Sequence, residues 1–561
     1  MIIPISKYLF NMIQFWKCAL FFSVFLLFFS TIKAQDSAVS FKSGSRDRYT
    51  VNDLFNPFAN DALVLNDGGK TAFLFSPAYG YASPNGYSNT EYSRIQKISS
   101  DSIPYASKVI ITDIPGSKNS TPFSVALLNG KLYAFFCNRE KYGEQVHEQI
   151  NNDDQIQEVY ACELDKDLLT IISQPIKIFT CTWNNDYLME AMPVVIQSVD
   201  QQKLCLLKLE HLKGKGMFVN AKIFDESFLF GTEVNLAINC RNNVFSASSF
   251  IITNDGILLF TGHEVYDSGF GKPETTNDLG LLWHIVTINE KDKSIIDRIA
   301  NCGDKTIIGL LTAFTSTNEI ISCGFFTVPE KYCLAVAGAV YIRCNINDTT
   351  SPLVVLHPFV EENEGANTKN YFKSKNIVVK SDGTAILISH KVSSSSPVKN
   401  ASFAKQRWCI TETWPIKDNI VSSIDITYFD KNGELFKSNS IILPTAVEQT
   451  SKFIFTSDFV TILQDDKVQF VYEDFKENSG KYSSLLTSCL LNENGETSKR
   501  DVVIDRPFSS ESIITESTDL VENNCYVFLM EINDPKVVYN PKYISIGNSP
   551  KFFIGRIDCG K

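Results

Sequence analysis

The sequence predicts an all-β chain, a single closed β-propeller of about seven four-stranded blades, with tandem β-sandwich domains as the alternative. Three observations lead there. Short runs rich in Phe, Tyr, Val, Ile and Thr alternate with clusters of Asn, Asp, Gly and Ser, and apolar residues rarely recur at helical spacing. Strand–turn–strand units with Asn-Gly or Asp-Gly at the turn recur along the chain. Their turns fall near residues 129, 201, 255, 317, 382, 465 and 523, with another Asn-Asp-Gly-Gly at 66–69.

The N-terminal element is a secretory signal. Lys7 and Lys17 precede the apolar run Cys18 to Ile32, and Lys33-Ala34-Gln35 follows. Cleavage between Ala34 and Gln35 defines a signal peptide over 1–34, since the run is short for a membrane span. No later segment has the length or apolarity of a transmembrane helix. Losing Lys7, Lys17 and Lys33 makes a chain of net charge −11 still more acidic, which argues against nucleic acid and anionic membrane faces. Residues 35–56 are polar and read as an extended segment.

Residues 57–561 form the repeat domain. The clearest hairpins are FSVALLNGKLYAFFCN (123–138), FIITNDGILLFTGH (250–263), NIVVKSDGTAILISH (376–390) and FVTILQDDKVQFVYED (459–474). FLFGTEVNLAIN and LVENNCYVFLMEIN are looser versions. Second strand pairs follow at 281–299, 424–443 and 484–504, making about four strands per repeat. A hairpin at 62–76 is expected to share a blade with KFFIGRID (551–558) and close the ring. Cysteine numbers fourteen, shows irregular spacing and no CxxC, and sits mainly in apolar runs. The expectation is buried thiols with one or two disulfides at most. Sequons at Asn119, Asn347 and Asn400 matter only in a eukaryotic host.

The stretch YFDKNGELFKSNSIILP, followed by DDKVQFVYEDFKEN, resembles a largely uncharacterised group of secreted, β-propeller-like repeat proteins of Gram-negative bacteria. The likeness covers about 370–505, and Tyr472-Glu473-Asp474 departs from the group's usual Tyr-Asn-Asp. It implies fold and compartment and no catalytic residue.

Enzyme signatures are absent: no HExxH, GxSxG, P-loop or GxGxxG. The histidines are His147, His211, His263, His284, His357 and His390. One candidate site is GHEVYDSGFG with Trp283-His284. There His263, Glu264, Asp267 and His284 could offer metal ligands or paired carboxylates, although strand alternation puts His263 and Glu264 on opposite faces. The competing reading is a polar loop with a hydrogen-bonded histidine. A second candidate is RWCITETW (407–414), where Trp408, Glu412 and Trp414 would share one strand face as a sugar-stacking platform or simply fill the core. DKNGE (430–434) and NENGE (492–496) outline calcium loops but read as turns. No cofactor or resident metal is expected. The functional expectation is an exported, non-catalytic binding or scaffolding propeller of the periplasm or cell surface, partnered by an envelope protein or a glycan. The alternative is a carbohydrate-active or other hydrolytic propeller enzyme with carboxylates at its central channel.

Overall fold

In the computed structural model the described residues are 40–43, then 63–138, 155–265, 282–359, 369–394 and 414–505 with intervening breaks, and 510–521, 524–532 and 551–558. The signal region with Ala34 and Gln35 lies outside them.

Eight four-stranded antiparallel sheets account for nearly all of these residues. In chain order the first runs from Leu63–Asn66, the second from Ser124–Leu128, the third from Val194–Gln197 and the fourth from Val244–Ile252. The fifth starts at Thr306–Phe314, the sixth at Lys369–Val379, the seventh at Phe459–Gln464 and the eighth at Ser510–Val521. The expected single closed propeller of about seven blades is therefore corrected. The sheets number eight, each is separate, and none closes or curls, so the units are discrete and sandwich-like.

The turn residues explain the local geometry. Asn129 and Gly130 both adopt positive φ (50° and 71°), the hairpin turn whose twist matches that of the flanking strands. Gly256 at φ 84° serves the hairpin Val244–Ile252 to Ile257–Val265. FLFGTEVNLAIN is not a hairpin; it enters one strand, Gly231–Ile238. The closing strand also differs from expectation. Lys551–Asp558 pairs with Ser40–Ser43, from the segment read as extended, while Leu63–Asn66 and Thr71–Ser76 form a sheet with Arg94–Ser99.

Successive sheets pack face on face. Phe73, Phe75 and Ile95 of the first meet Val125, Leu127 and Phe136 of the second. The opposite face of the second sheet, with Phe135 and Val159, meets Leu204, Leu206 and Phe224 of the third. Adjacent Phe135 and Phe136 are both fully buried, so this central strand is apolar on both faces. The pattern continues, with Val219 and Ile223 against Phe260 and Val286. Further along, Cys323 and Phe325 of the fifth sheet meet Leu387 and Phe429 of the sixth. Among the described residues eight cysteines are buried with no disulfide among them, so the expected core thiols are present. No helix of the described residues is long and apolar enough to cross a membrane.

Candidate functional site

Register decides the fate of the first candidate cluster. In the fourth sheet Ser246, His263, Trp283 and Ala300 form one row, and Ala247, Gly262, His284 and Ile299 the next. His263 and His284 therefore occupy opposite faces, while Glu264 holds a position on the His284 face. Asp267 lies outside the described residues. His284 is buried, and its Nδ1 lies 3.1 Å from both carboxylate oxygens of Asp297 on the neighbouring strand. Nothing in the sequence pattern marks Asp297, because its closeness to His284 arises only once the hairpin register is fixed.

Trp408 and Glu412 of the second candidate also lie outside the described residues. Trp414 belongs to the short strand Trp414–Pro415, which pairs with Phe453–Thr456 in a separate three-stranded sheet. DKNGE is a turn: Asp430 Oδ1 accepts the amides of Asn432 and Glu434, and these backbone bonds, Glu434's foremost, hold its carboxyl below the usual range.

Two further constellations emerge from the structure. The first consists of bulges in the first strands of three consecutive sheets, strands that touch one another in turn. Ser248 drops out of register in Val244–Ile252, Gly309 and Leu310 in Thr306–Phe314, and Lys375 in Lys369–Val379. A bulge re-aims a side chain and interrupts the ladder. Gly309 is exposed at φ 61°, and a Cβ there would stand 3.0 Å from the Ser374 hydroxyl oxygen. Gly324, opposite the bulge, has no room for a side chain either, since a Cβ would meet Leu310 Cα at 2.9 Å. The Ser374 oxygen is buried and has no hydrogen-bond partner within the protein.

Ser374 also begins the second constellation, a polar row across the sixth sheet: Ser374, Ser389, Asp425 and Ser440. Asp425 is 4% exposed and accepts from Ser440 Oγ at 2.7 Å and Thr427 Oγ1 at 3.4 Å. Burial pushes its carboxyl above the ordinary range, against the smaller opposing effects of Ser440, Lys391 and Thr427.

The functional expectations are corrected with the fold. No sheet closes about a channel, so neither a channel scaffold nor a propeller hydrolase with carboxylates at a central channel is supported. Among the described residues no group of three or more His, Cys, Asp or Glu is placed to hold a metal ion.

No family model and no curated protein matches the chain. Among solved structures it is similar to a prolyl endopeptidase, at 8% identity over 83% of this chain and 53% of the other, TM-score 0.35. A puromycin hydrolase gives 9% identity over 84% and 58%, TM-score 0.34. Synechocystis apocarotenoid oxygenase gives 9% identity over 79% and 89%, TM-score 0.35. The chain thus spans little more than half the length of the first two. Overlaps this loose carry no argument about its fold or activity.

Proposed function

We propose that the chain is an exported protein whose ligand sits where the first strands of the fourth, fifth and sixth sheets bring their bulges together. The succession of three bulges in touching strands carries this reading. Bulges cost ladder hydrogen bonds and concentrate where a backbone must present itself to something other than a neighbouring strand. The exposed Gly309 supplies that access, because a backbone without a side chain allows close approach. Export follows from the basic start, apolar run and Ala34-Gln35 junction.

The test uses Lys375→Cys carrying an environment-sensitive fluorophore, titrated with a panel of anionic, cationic and neutral small molecules. A saturable response to a panel member, lost in the added Gly309→Val background, is expected. The absence of any saturable response would remove the site. Secreted protein beginning at Gln35 is expected by N-terminal sequencing.

A further inference from the structure

We infer that the chain pairs with a second copy of itself through its third sheet. The outer strand Gly231–Ile238 lies antiparallel to the same strand of the other copy, joining the two sheets into one. The contact is independent of the bulge site.

The edge itself is the first argument. Gly231–Ile238 pairs on one side with Gly216–Phe224 and is the last strand of its sheet. Among the described residues, no hydrogen bond reaches the other side of residues 231–237. Alternate N–H and C=O groups there point outward unpaired, which is the template another strand requires.

The other outer strands supply the second argument. Natural edges are kept from pairing by brevity, bulges, proline or charge. In the first and eighth sheets the outer strands are only two and four residues long, Lys108–Val109 and Ser40–Ser43. Those of the second, sixth and seventh sheets are interrupted by bulges. The fifth ends in Pro358, and the fourth contains the buried Arg298. Gly231–Ile238 has none of these devices: it runs eight residues in unbroken register, without proline, lysine or arginine. Its single charge, Glu233, is paired with Lys222 of the adjoining strand at 3.2 Å.

The third argument is what fits this edge. Gly231, Glu233, Asn235 and Ala237 form its exposed face, whereas Val234 is buried against the fourth sheet. A two-fold axis through Val234 sets Gly231 opposite Ala237, Thr232 opposite Leu236 and Glu233 opposite Asn235. Glu233 then never meets its own copy, so no like charges face each other across the pair. Sliding the register towards Ile238 would recruit a residue already engaged elsewhere. The overlap of residues 231–237 supplies about seven inter-strand hydrogen bonds.

The deciding experiment is sedimentation velocity of the purified full chain, with amide hydrogen exchange at the same concentrations. A monomer–dimer equilibrium near about 100 μM is expected, with residues 231–237 more protected as concentration rises. Asn235→Lys brings an ammonium opposite Glu233 twice per dimer and should tighten it about fivefold, whereas Asn235→Glu should weaken it about fivefold. The same two changes at Val199, a turn residue 92% exposed, alter net charge alike and should shift association by less than about twofold. A chain that stays monomeric to about 500 μM, or a dimer that responds equally to charge at 235 and at 199, overturns the inference. Full protection of 231–237 in the dilute monomer would also overturn it, because another segment of the chain then covers the edge. A monomer in which these amides become protected only on adding a synthetic Lys-Val repeat peptide would assign the edge to a foreign strand and overturn it likewise.

Discussion

Arg298 offers the sharpest test of how neighbouring sheets are held together. It is 2% exposed in the strand Ile295–Ala300 of the fourth sheet. Its Nε donates to the Asp348 carbonyl at 2.7 Å, Nη2 to the Ile346 carbonyl at 2.5 Å and Nη1 to the Thr287 hydroxyl at 2.9 Å. Two of these acceptors belong to the turn after Gly338–Asn345 in the fifth sheet, so the guanidinium ties two sheets together. Burial lowers its proton affinity, opposed by Cys344, Asp348 and Asp297. Charged hydrogen bonds contribute about 1.5–3 kcal/mol each. Arg298→Met loses all three but also relieves the desolvation of a buried cation, which amounts to several kcal/mol. Asn347 and Asp348 are exposed, so that turn can rehydrate. A net loss of about 2 kcal/mol follows, or roughly 30-fold faster opening. Arg298→Lys keeps the buried charge with a single donor centre in place of the planar fork, and should cost more, about 3–5 kcal/mol. Amide hydrogen exchange of residues 295–300 and 338–345 reports both. A lysine variant as protected as wild type would refute the geometric argument. A methionine variant exchanging less than about threefold faster would show that the tether contributes little.

Three other outcomes follow from the same packing. Gly256→Ala places a β-carbon at φ 84° against the Glu290 carboxylate, which pairs with Lys203 at 2.8 Å; a loss of about 2 kcal/mol is expected in urea unfolding, and an unchanged midpoint would contradict the contact. Burial pushes the Cys162 and Cys302 thiols up to about 11, and those of Cys205 and Cys323 higher. Native-state alkylation at neutral pH should therefore run about 100-fold or more below that of a free thiol, and complete labelling before unfolding would show otherwise. Because burial raises the Asp425 carboxyl in the fold, its protonated form contributes stability that is full below the unfolded value and is lost as pH rises through the folded one. Asp425→Asn should flatten that loss, so urea midpoints of variant and wild type should separate above about pH 4; a gap constant with pH would refute the assignment.

The hairpins were legible because their cause is local. Asn129-Gly130 and Asp255-Gly256 announce the backbone angles they adopt. The number of sheets was not, because turns of unequal spacing hide where one sheet ends and the next begins. The closing strand misled for a related reason. The hairpin at 62–76 read as a partner for the C-terminal strand, but Arg94–Ser99 takes the edge of Thr71–Ser76, and Ser40–Ser43 pairs with Lys551–Asp558 instead. At the candidate site His284 was visible as a residue, whereas its partner Asp297 lies thirteen positions on, across a hairpin. Ser248, Gly309 and Lys375 carry no sequence signal, since an extra residue in a strand becomes an extra residue only against its partner. Asp425 misleads in a different way. The alternation in Ile420–Phe429 suggests a solvent face, yet Ser423, Asp425 and Thr427 are all buried.

These buried polar groups differ in a way that bears on function. Arg298 and Asp425 are both buried, and each has hydrogen bonds to fixed neighbours. Arg298 holds two sheets in one relative position and Asp425 cross-links strands of its own sheet, so the replacement of either is felt as stability. Ser374 is equally enclosed at its oxygen, sits in the same row as Asp425, and has no partner within the protein. The Tyr428 and Thr487 hydroxyls are buried without a partner in the same way, so an unpartnered oxygen alone does not mark a site. What separates the place beside Ser374 from the structural tethers is its backbone: two bulges, a glycine with positive φ and a lysine removed from the ladder. An exposed backbone that gives up ladder bonds at Gly309 is better explained by what binds there.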